Sequence, residues 1–140
     1  CEYDGWKVEL SLSLLNEMQT DRRGALPNET GGVLIGAYDI ARKRVYVAYQ
    51  VKAPDDSISS PTSFIRGCAN LPERLKYIHE TTLDNLTYIG EWHSHPSANT
   101  QRSTDDIKLH RAIVDYNREN CLPGCMMILG TDNFSIFIDE

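Results

Sequence analysis

A chain of 140 residues with a net charge of −6 is the size of one domain and carries no basic run, so a phosphate-tracking nucleic-acid surface is not expected. Hydrophobic residues make up 41% and charged residues 24%, an ordinary globular composition. A globule of this size buries about 68% of the surface its unfolded chain exposes, so it needs no staples. No apolar run approaches a membrane span, and a membrane partner is not expected. The chain starts at Cys1 without a signal peptide and stops at Glu140; the expectation is one domain over 1–140, cut from a longer protein. Cys1, Cys68, Cys121 and Cys125 are irregularly spaced and read as free thiols in a reducing cytoplasm. Cys121 and Cys125 flank a Pro-Gly turn that leaves room for a disulfide or a metal clip, but no neighbouring pair completes a four-ligand set.

Trp6 to Leu10 alternates as a first strand. Ser11 or Ser13 caps a helix through Arg22, with Leu14, Leu15 and Met18 on one face and Arg23-Gly24 at its end. After the Pro27-Asn28 loop, "ETGGVLIG" at 29–36 enters a short, Gly-flanked buried strand. Asp39 to Arg44 is a charged turn, and Val45 to Val51 returns to make a hairpin. Pro54 to Pro61 is rich in Asp and Ser and reads as an exposed loop. A short strand at Ser63 to Arg66, a helix at Leu71 to Thr82 and a strand at Leu86 to Trp92 follow. Ser97 to Arg102 is a polar loop, and a helix runs from Ser103 to about Asn117. Met126 to Leu129 and Phe134 to Ile138 are strands around the Gly130–Asn133 turn. The pattern is a mixed α/β (α+β) domain, with a largely antiparallel sheet and about three helices.

The chemistry concentrates in "GEWHSHP" at 90–96. Strand side chains alternate, so His93 and His95 share a face and two imidazoles can converge on one ion. Pro96 has no N–H and stops the ladder, leaving the pair at a strand end, where a substrate has room to enter. Asp105 and Asp106, in the first turn of the following helix, each offer a carboxylate as third ligand. Two His and one carboxylate leave a fourth position for water, the arrangement of catalytic zinc. Ser103-x-x-Asp106 is equally a capping box, and either aspartate could serve the helix dipole alone. Glu91, on the same strand face as the histidines, and Glu29, beside Gly31-Gly32, compete as the base for that water. Spacing does not choose between the two aspartates or between the two glutamates.

Together these residues resemble the JAMM/MPN zinc metalloprotease family, in its prokaryotic JAB-type, deubiquitinase-like branch. The family pattern is a Glu on an early strand, then His-x-His-Pro, then Ser-x-x-Asp. Here it is met by Glu29 in "ETGGVLIG", His93 and His95 in "GEWHSHP", and Ser103 with Asp106 in "STDD", ten residues separating His95 from Asp106. The resemblance covers essentially the whole chain and implies an MPN/JAMM-like curved sheet flanked by helices. It implies that His93, His95 and Asp106 bind one catalytic zinc with a water, that Glu29 is the general base, and that Ser103 hydrogen-bonds the developing oxyanion. Asp105 and Glu91 then become flanking residues.

Members of this family often cut peptide or isopeptide bonds after the C-terminal tail of ubiquitin or a ubiquitin-like protein. An extended tail of that kind pairs readily with an edge strand. Similar bacterial domains accompany, or are fused to, E1- and E2-like enzymes. Some of those systems serve antiviral defence and others process sulfur-carrier proteins. The implied protein is thus a cytoplasmic isopeptidase with a ubiquitin-like tail as partner. The turn around Arg118 to Gly124 is too short for the insertions with which some eukaryotic deubiquitinases grip a second ubiquitin. His79 and His110 match nothing in the motif and read as helix-surface or core residues. Three rivals remain: a metal-free MPN-type binding scaffold, a hydrolase of small peptide conjugates, and a DNA-repair-associated relative, against which both the acidic charge and Ser97-Ala98-Asn99-Thr100 count.

Overall fold

The computed structural model describes residues 5–140, together with the backbone of a short strand at Glu2–Tyr3. Cys1, read above as a free thiol, lies outside the described residues. In chain order the elements are β1 (Glu2–Tyr3), β2 (Trp6–Leu10), α1 (Leu12–Ala25), β3 (Gly31–Asp39), β4 (Arg44–Lys52), β5 (Ile58–Ser60), β6 (Ser63–Ile65), α2 (Leu71–Thr81), β7 (Thr87–Ser94), α3 (Thr104–Arg118), β8 (Gly124–Leu129) and β9 (Phe134–Asp139). Seven strands form one sheet in the order β1-β2-β4-β3-β7-β8-β9, and β5 and β6 form a separate hairpin. Within the seven-stranded sheet only the β2–β4 and β7–β8 pairs are parallel. The mixed α/β class, the largely antiparallel curved sheet and the three helices agree with the reading of the sequence.

The helices cover both faces. Leu14 and Met18 of α1 join Trp6, Val8, Leu34 and Trp92 in one core. Leu71 and Ile78 of α2 pack on Val33, Ile35 and Val51, while Ile113 of α3 packs on Met126 and Ile128. Burying a Leu- or Met-sized side chain contributes about 1.5–3 kcal/mol, so Leu14 and Met18 alone anchor α1 firmly. α1 starts where Ser11 Oγ accepts the N–H of Leu14 at 3.0 Å. It runs through the predicted end at Arg23-Gly24 to Ala25, because a glycine on an open surface weakens a helix without stopping it.

Two features set the direction of β7. Its pairing with β3 shifts register between Leu34 and Ile35, with Gly90 opposite Leu34 and Tyr88 opposite Ile35, so Ile89 is an extra residue. Ile89 thereby enters the α1-side core, while Tyr88 packs on the α2 and α3 side. After the bulge, Trp92 again faces α1, and the residues alternating with it, Glu91 and His93, face the other way. Gly90 makes the bulge fit: its φ is +156°, and a Cβ there would lie 1.7 Å from the Cys125 carbonyl oxygen on β8.

The segment read as an exposed loop from Pro54 to Pro61 contains β5. It pairs Ile58 with Ile65, Ser59 with Phe64 and Ser60 with Ser63. The base of this hairpin is closed by polar side chains: Asp56 accepts the N–H groups of Cys68 and Ala69, each at 3.0 Å, and Ser57 Oγ accepts that of Gly67 at 2.9 Å. Cys68, Cys121 and Cys125 are free thiols; Cys125 is buried and the other two are exposed, so no disulfide joins Cys121 to Cys125. No helix among the described residues is long and apolar enough to cross a membrane.

Candidate metal centre

β7 ends in the cleft. Ser94 N donates to the Thr30 carbonyl at 2.7 Å, and Ser94 Oγ accepts the Thr30 N–H at 3.0 Å. The residue between the two histidines therefore fixes their register against the segment that carries Glu29. β5 holds that segment from its other side: Glu29 N donates to the Ser60 carbonyl at 2.9 Å, and Ser59 Oγ donates to the Glu29 carbonyl. The close β3–β7 approach needs Gly31, where a Cβ would sit 2.3 Å from the Trp92 carbonyl oxygen.

α3 brings the carboxylate. Ser103 is its N-cap and forms the capping box: Asp106 N donates to Ser103 Oγ at 3.2 Å, and Ser103 N donates to Asp106 Oδ2 at 2.6 Å. The same aspartate meets both imidazoles, at 3.1 Å from Oδ1 to His93 Nε2 and 3.6 Å from Oδ2 to His95 Nε2. Potential ligand atoms of His93, His95 and Asp106 all lie within 4.8 Å of one another, and no other such group of three occurs among the described residues. Asp105 lines the cleft but pairs with Lys108 instead.

The protonation pattern suits a cation. His95 Nδ1 donates to the Asn99 carbonyl at 2.7 Å, which leaves Nε2 as the ring nitrogen that faces Asp106. His93 is 4% exposed, and its Nε2 is a buried nitrogen with no hydrogen bond, although Asp106 Oδ1 lies 3.1 Å away. Burial alone would raise the Asp106 carboxyl, but its contacts with His93 and His95 and the Ser103 N–H hold it well below the usual carboxylate range. Contact with Asp106 raises His95 against the opposing effect of burial. A carboxylate shared by two imidazoles, one of them orphaned, is a donor set that a tetrahedral zinc ion would satisfy.

Glu29 and Ser103 line the same cleft, a cavity of about 600 Å³ whose opposite wall is the β5–β6 hairpin. Burial raises the Glu29 carboxyl above its ordinary value, although His95 and His93 pull it down. Ser103 Oγ accepts from Asp106 N, and its own proton stays free to donate. Glu91 is engaged elsewhere: it accepts from Arg66 Nη2 at 2.8 Å and from the Tyr88 hydroxyl at 3.2 Å. Of the unmatched histidines, His110 is buried between Arg102 and the Gly124 carbonyl, and His79 sits half-buried near Asp84. The structure thus brings together all five motif residues, while Asp105 and Glu91, which line the same cleft, are engaged by other partners.

Three contributors escaped the sequence reading: Ser94, the β5 strand and Arg22. The last lies in α1 at the spacing of Leu14 and Met18, a charged residue in an apolar stripe, and that mismatch is a signal of a buried role.

Residues 11–138 match the family described as prokaryotic homologs of the JAB domain. The CD-NTase/cGAS isopeptidase of Enterobacter hormaechei subsp. hoffmannii (strain UCI 50) is 33% identical over 127 residues, which are 91% of this chain and 69% of that protein. Among solved structures, a protein from Desulfitobacterium hafniense is similar with a TM-score of 0.62 and 21% identity, over 94% of this chain and 82% of its own. A JAB1/MPN domain protein from Archaeoglobus fulgidus is similar with a TM-score of 0.57 and 17% identity, over 92% and 87%. These two likenesses concern the fold.

Proposed function

The chain belongs to the prokaryotic homologs of the JAB domain, and on that premise we propose that it is a zinc-dependent isopeptidase acting after the C-terminal tail of a ubiquitin-like protein. The observation that carries the reading is the cluster of His93, His95 and Asp106, with the orphaned His93 Nε2, in one cleft with Glu29 and Ser103. His93 and His95 would hold the ion through their imidazole nitrogens and Asp106 through a carboxylate oxygen. Bound there, zinc supplies Lewis acidity toward the scissile carbonyl and lowers the pKa of a water.

The chain's own groups do the rest. A Glu29 carboxylate oxygen takes a proton from the attacking water and delivers it to the departing amine nitrogen. Its raised affinity for protons suits both halves of that transfer. The Ser103 hydroxyl donates to the oxygen on which negative charge develops. Glu91, held by Arg66 and Tyr88, has a packing role in the cleft wall. Since no acyl-enzyme forms, the thiols take no part.

The similar Enterobacter protein is named for a CD-NTase, which makes a CD-NTase-like protein the first conjugate to offer. Action beside E1- or E2-like enzymes, in trans or fused, in an antiviral conjugation pathway is part of the same proposal. Elemental analysis of wild type and His93→Ala tests the metal. About one zinc per chain in wild type and little in His93→Ala is the expected result. Glu29→Ala keeps the zinc and loses turnover by about 10²–10⁴-fold. No zinc in wild type, after it has been offered at neutral pH, refutes the metalloenzyme reading in favour of a binding scaffold.

A further inference from the structure

Arg22 occupies a position in α1 where the helical period calls for an apolar side chain, and it is 2% exposed. A buried guanidinium is costly unless its donors are met. Its partners are not carboxylates. Nε donates to the His95 carbonyl at 2.9 Å, and Nη2 donates to the Pro96 carbonyl at 2.7 Å and to Thr131 Oγ1 at 3.3 Å. A planar fork suits two consecutive carbonyls, whereas a lysine presents one charged point.

Those carbonyls lie where β7 leaves the sheet. The N–H of His95 still bonds the Leu129 carbonyl at 2.8 Å, but Pro96 has no N–H to continue the ladder. Beyond that point the loop is held by side chains: Asn133 Nδ2 donates to the Ala98 carbonyl at 2.9 Å, and His95 Nδ1 to the Asn99 carbonyl at 2.7 Å. Of these, only Arg22 grips the peptide from which the His95 imidazole is suspended. One turn earlier on the same helix, Gln19 Nε2 donates to the Gly130 carbonyl at 3.0 Å, in the turn after β8 and not in the 93–99 segment.

Resting on the reading that His93, His95 and Asp106 hold zinc, the geometry points to Arg22 as a positioning residue that aims His95 at the ion through the His95 and Pro96 carbonyls. It does not touch the ion or the substrate. A residue that served only to dock α1 would change stability and leave the coordination untouched, and that difference is measurable.

Arg22→Met, Arg22→Lys and Gln19→Leu are purified metal-free and melted. Zinc affinity is then measured by competition with a chromophoric chelator, and the visible spectrum of the cobalt-substituted protein is recorded. Arg22→Met weakens zinc binding by about 10- to 100-fold, the usual effect of losing a group that orients a ligand, and alters the cobalt spectrum. Arg22→Lys recovers part of both, and Gln19→Leu changes the melting temperature alone. Wild-type affinity and cobalt spectrum in a folded Arg22→Met overturn the inference. If Arg22→Met does not fold, the same result in Arg22→Lys overturns it. Wild type that binds neither zinc nor cobalt overturns the metal reading itself, and this inference with it.

Discussion

On the proposed reading Ser103 would have two roles that ordinary mutagenesis would confuse, as cap of α3 and as oxyanion donor. As N-cap of α3 its Oγ accepts the Asp106 N–H, while the Asp106 carboxylate accepts the Ser103 N–H in return. Ser103→Ala removes only the first of these bonds, since the second uses the backbone of residue 103. The loss therefore falls toward the low end of the cap range, about 0.5–1 kcal/mol, and Ser103→Gly costs only a few tenths. Loss of the free hydroxyl proton is a different quantity: removing one oxyanion donor costs about 10²–10³ in turnover. Ser103→Ala and Ser103→Gly should thus differ in stability yet lose turnover equally. Ser103→Thr, which keeps both the acceptor and the proton, should resemble wild type in each. The assays are thermal melting of the metal-loaded proteins and initial rates on a conjugate that wild type cleaves. Turnover that tracks stability, with Ser103→Gly close to wild type, would show that Ser103 only caps α3 and would refute the oxyanion role.

Two further outcomes follow from the packing. Gly90→Ala would bring a Cβ within 1.7 Å of the Cys125 carbonyl oxygen, so β7 and β8 must separate, and the variant should melt well below wild type or fail to accumulate; a wild-type melt would refute the close approach of Gly90 to β8. Burial depresses His110 below its ordinary value of 6.5, with Arg102 beside it adding to the effect and Gly124 and Asp139 opposing it. The unfolded chain then takes up a proton at His110 before the folded one does. Its contribution to stability is complete above about pH 6.5 and is lost as pH falls through the folded value. Urea midpoints at pH 7.5 and 5.5 should fall further for wild type than for His110→Gln, and equal slopes would contradict the assignment.

What could be read from the residues and what could not divide along the range of the interactions. His93, His95, Asp106, Ser103 and Glu29 stand out because their chemistry resides in residue type and spacing. β4 and α3 stand out because each has a period of its own, and β3 because it is a short apolar run flanked by glycines. The β5 strand has no such signal: its segment is poor in β-formers, and it becomes a strand because Asp56 and Ser57 close the hairpin onto Gly67, Cys68 and Ala69. The Ile89 bulge is equally silent. Alternation counted from Ile89 would put it on the face of Glu91 and His93, and only the close approach of Gly90 to β8 shows why it does not lie there.

The supports of the site are more distant still. Ser94 meets Thr30 across 64 positions and Arg22 meets the His95 carbonyl across 73. Each uses a backbone group as partner, and a backbone group has no residue type. A motif can therefore name the groups that would touch the ion while remaining mute about what aims them. Only such mismatches as a charged Arg22 in the apolar stripe of α1, or a small polar Ser94 between two histidines, mark where the aiming is done. A chain that carried the five motif residues on a sheet lacking these two contacts would match the pattern equally well, yet its imidazoles would have no fixed direction from which to converge on a metal.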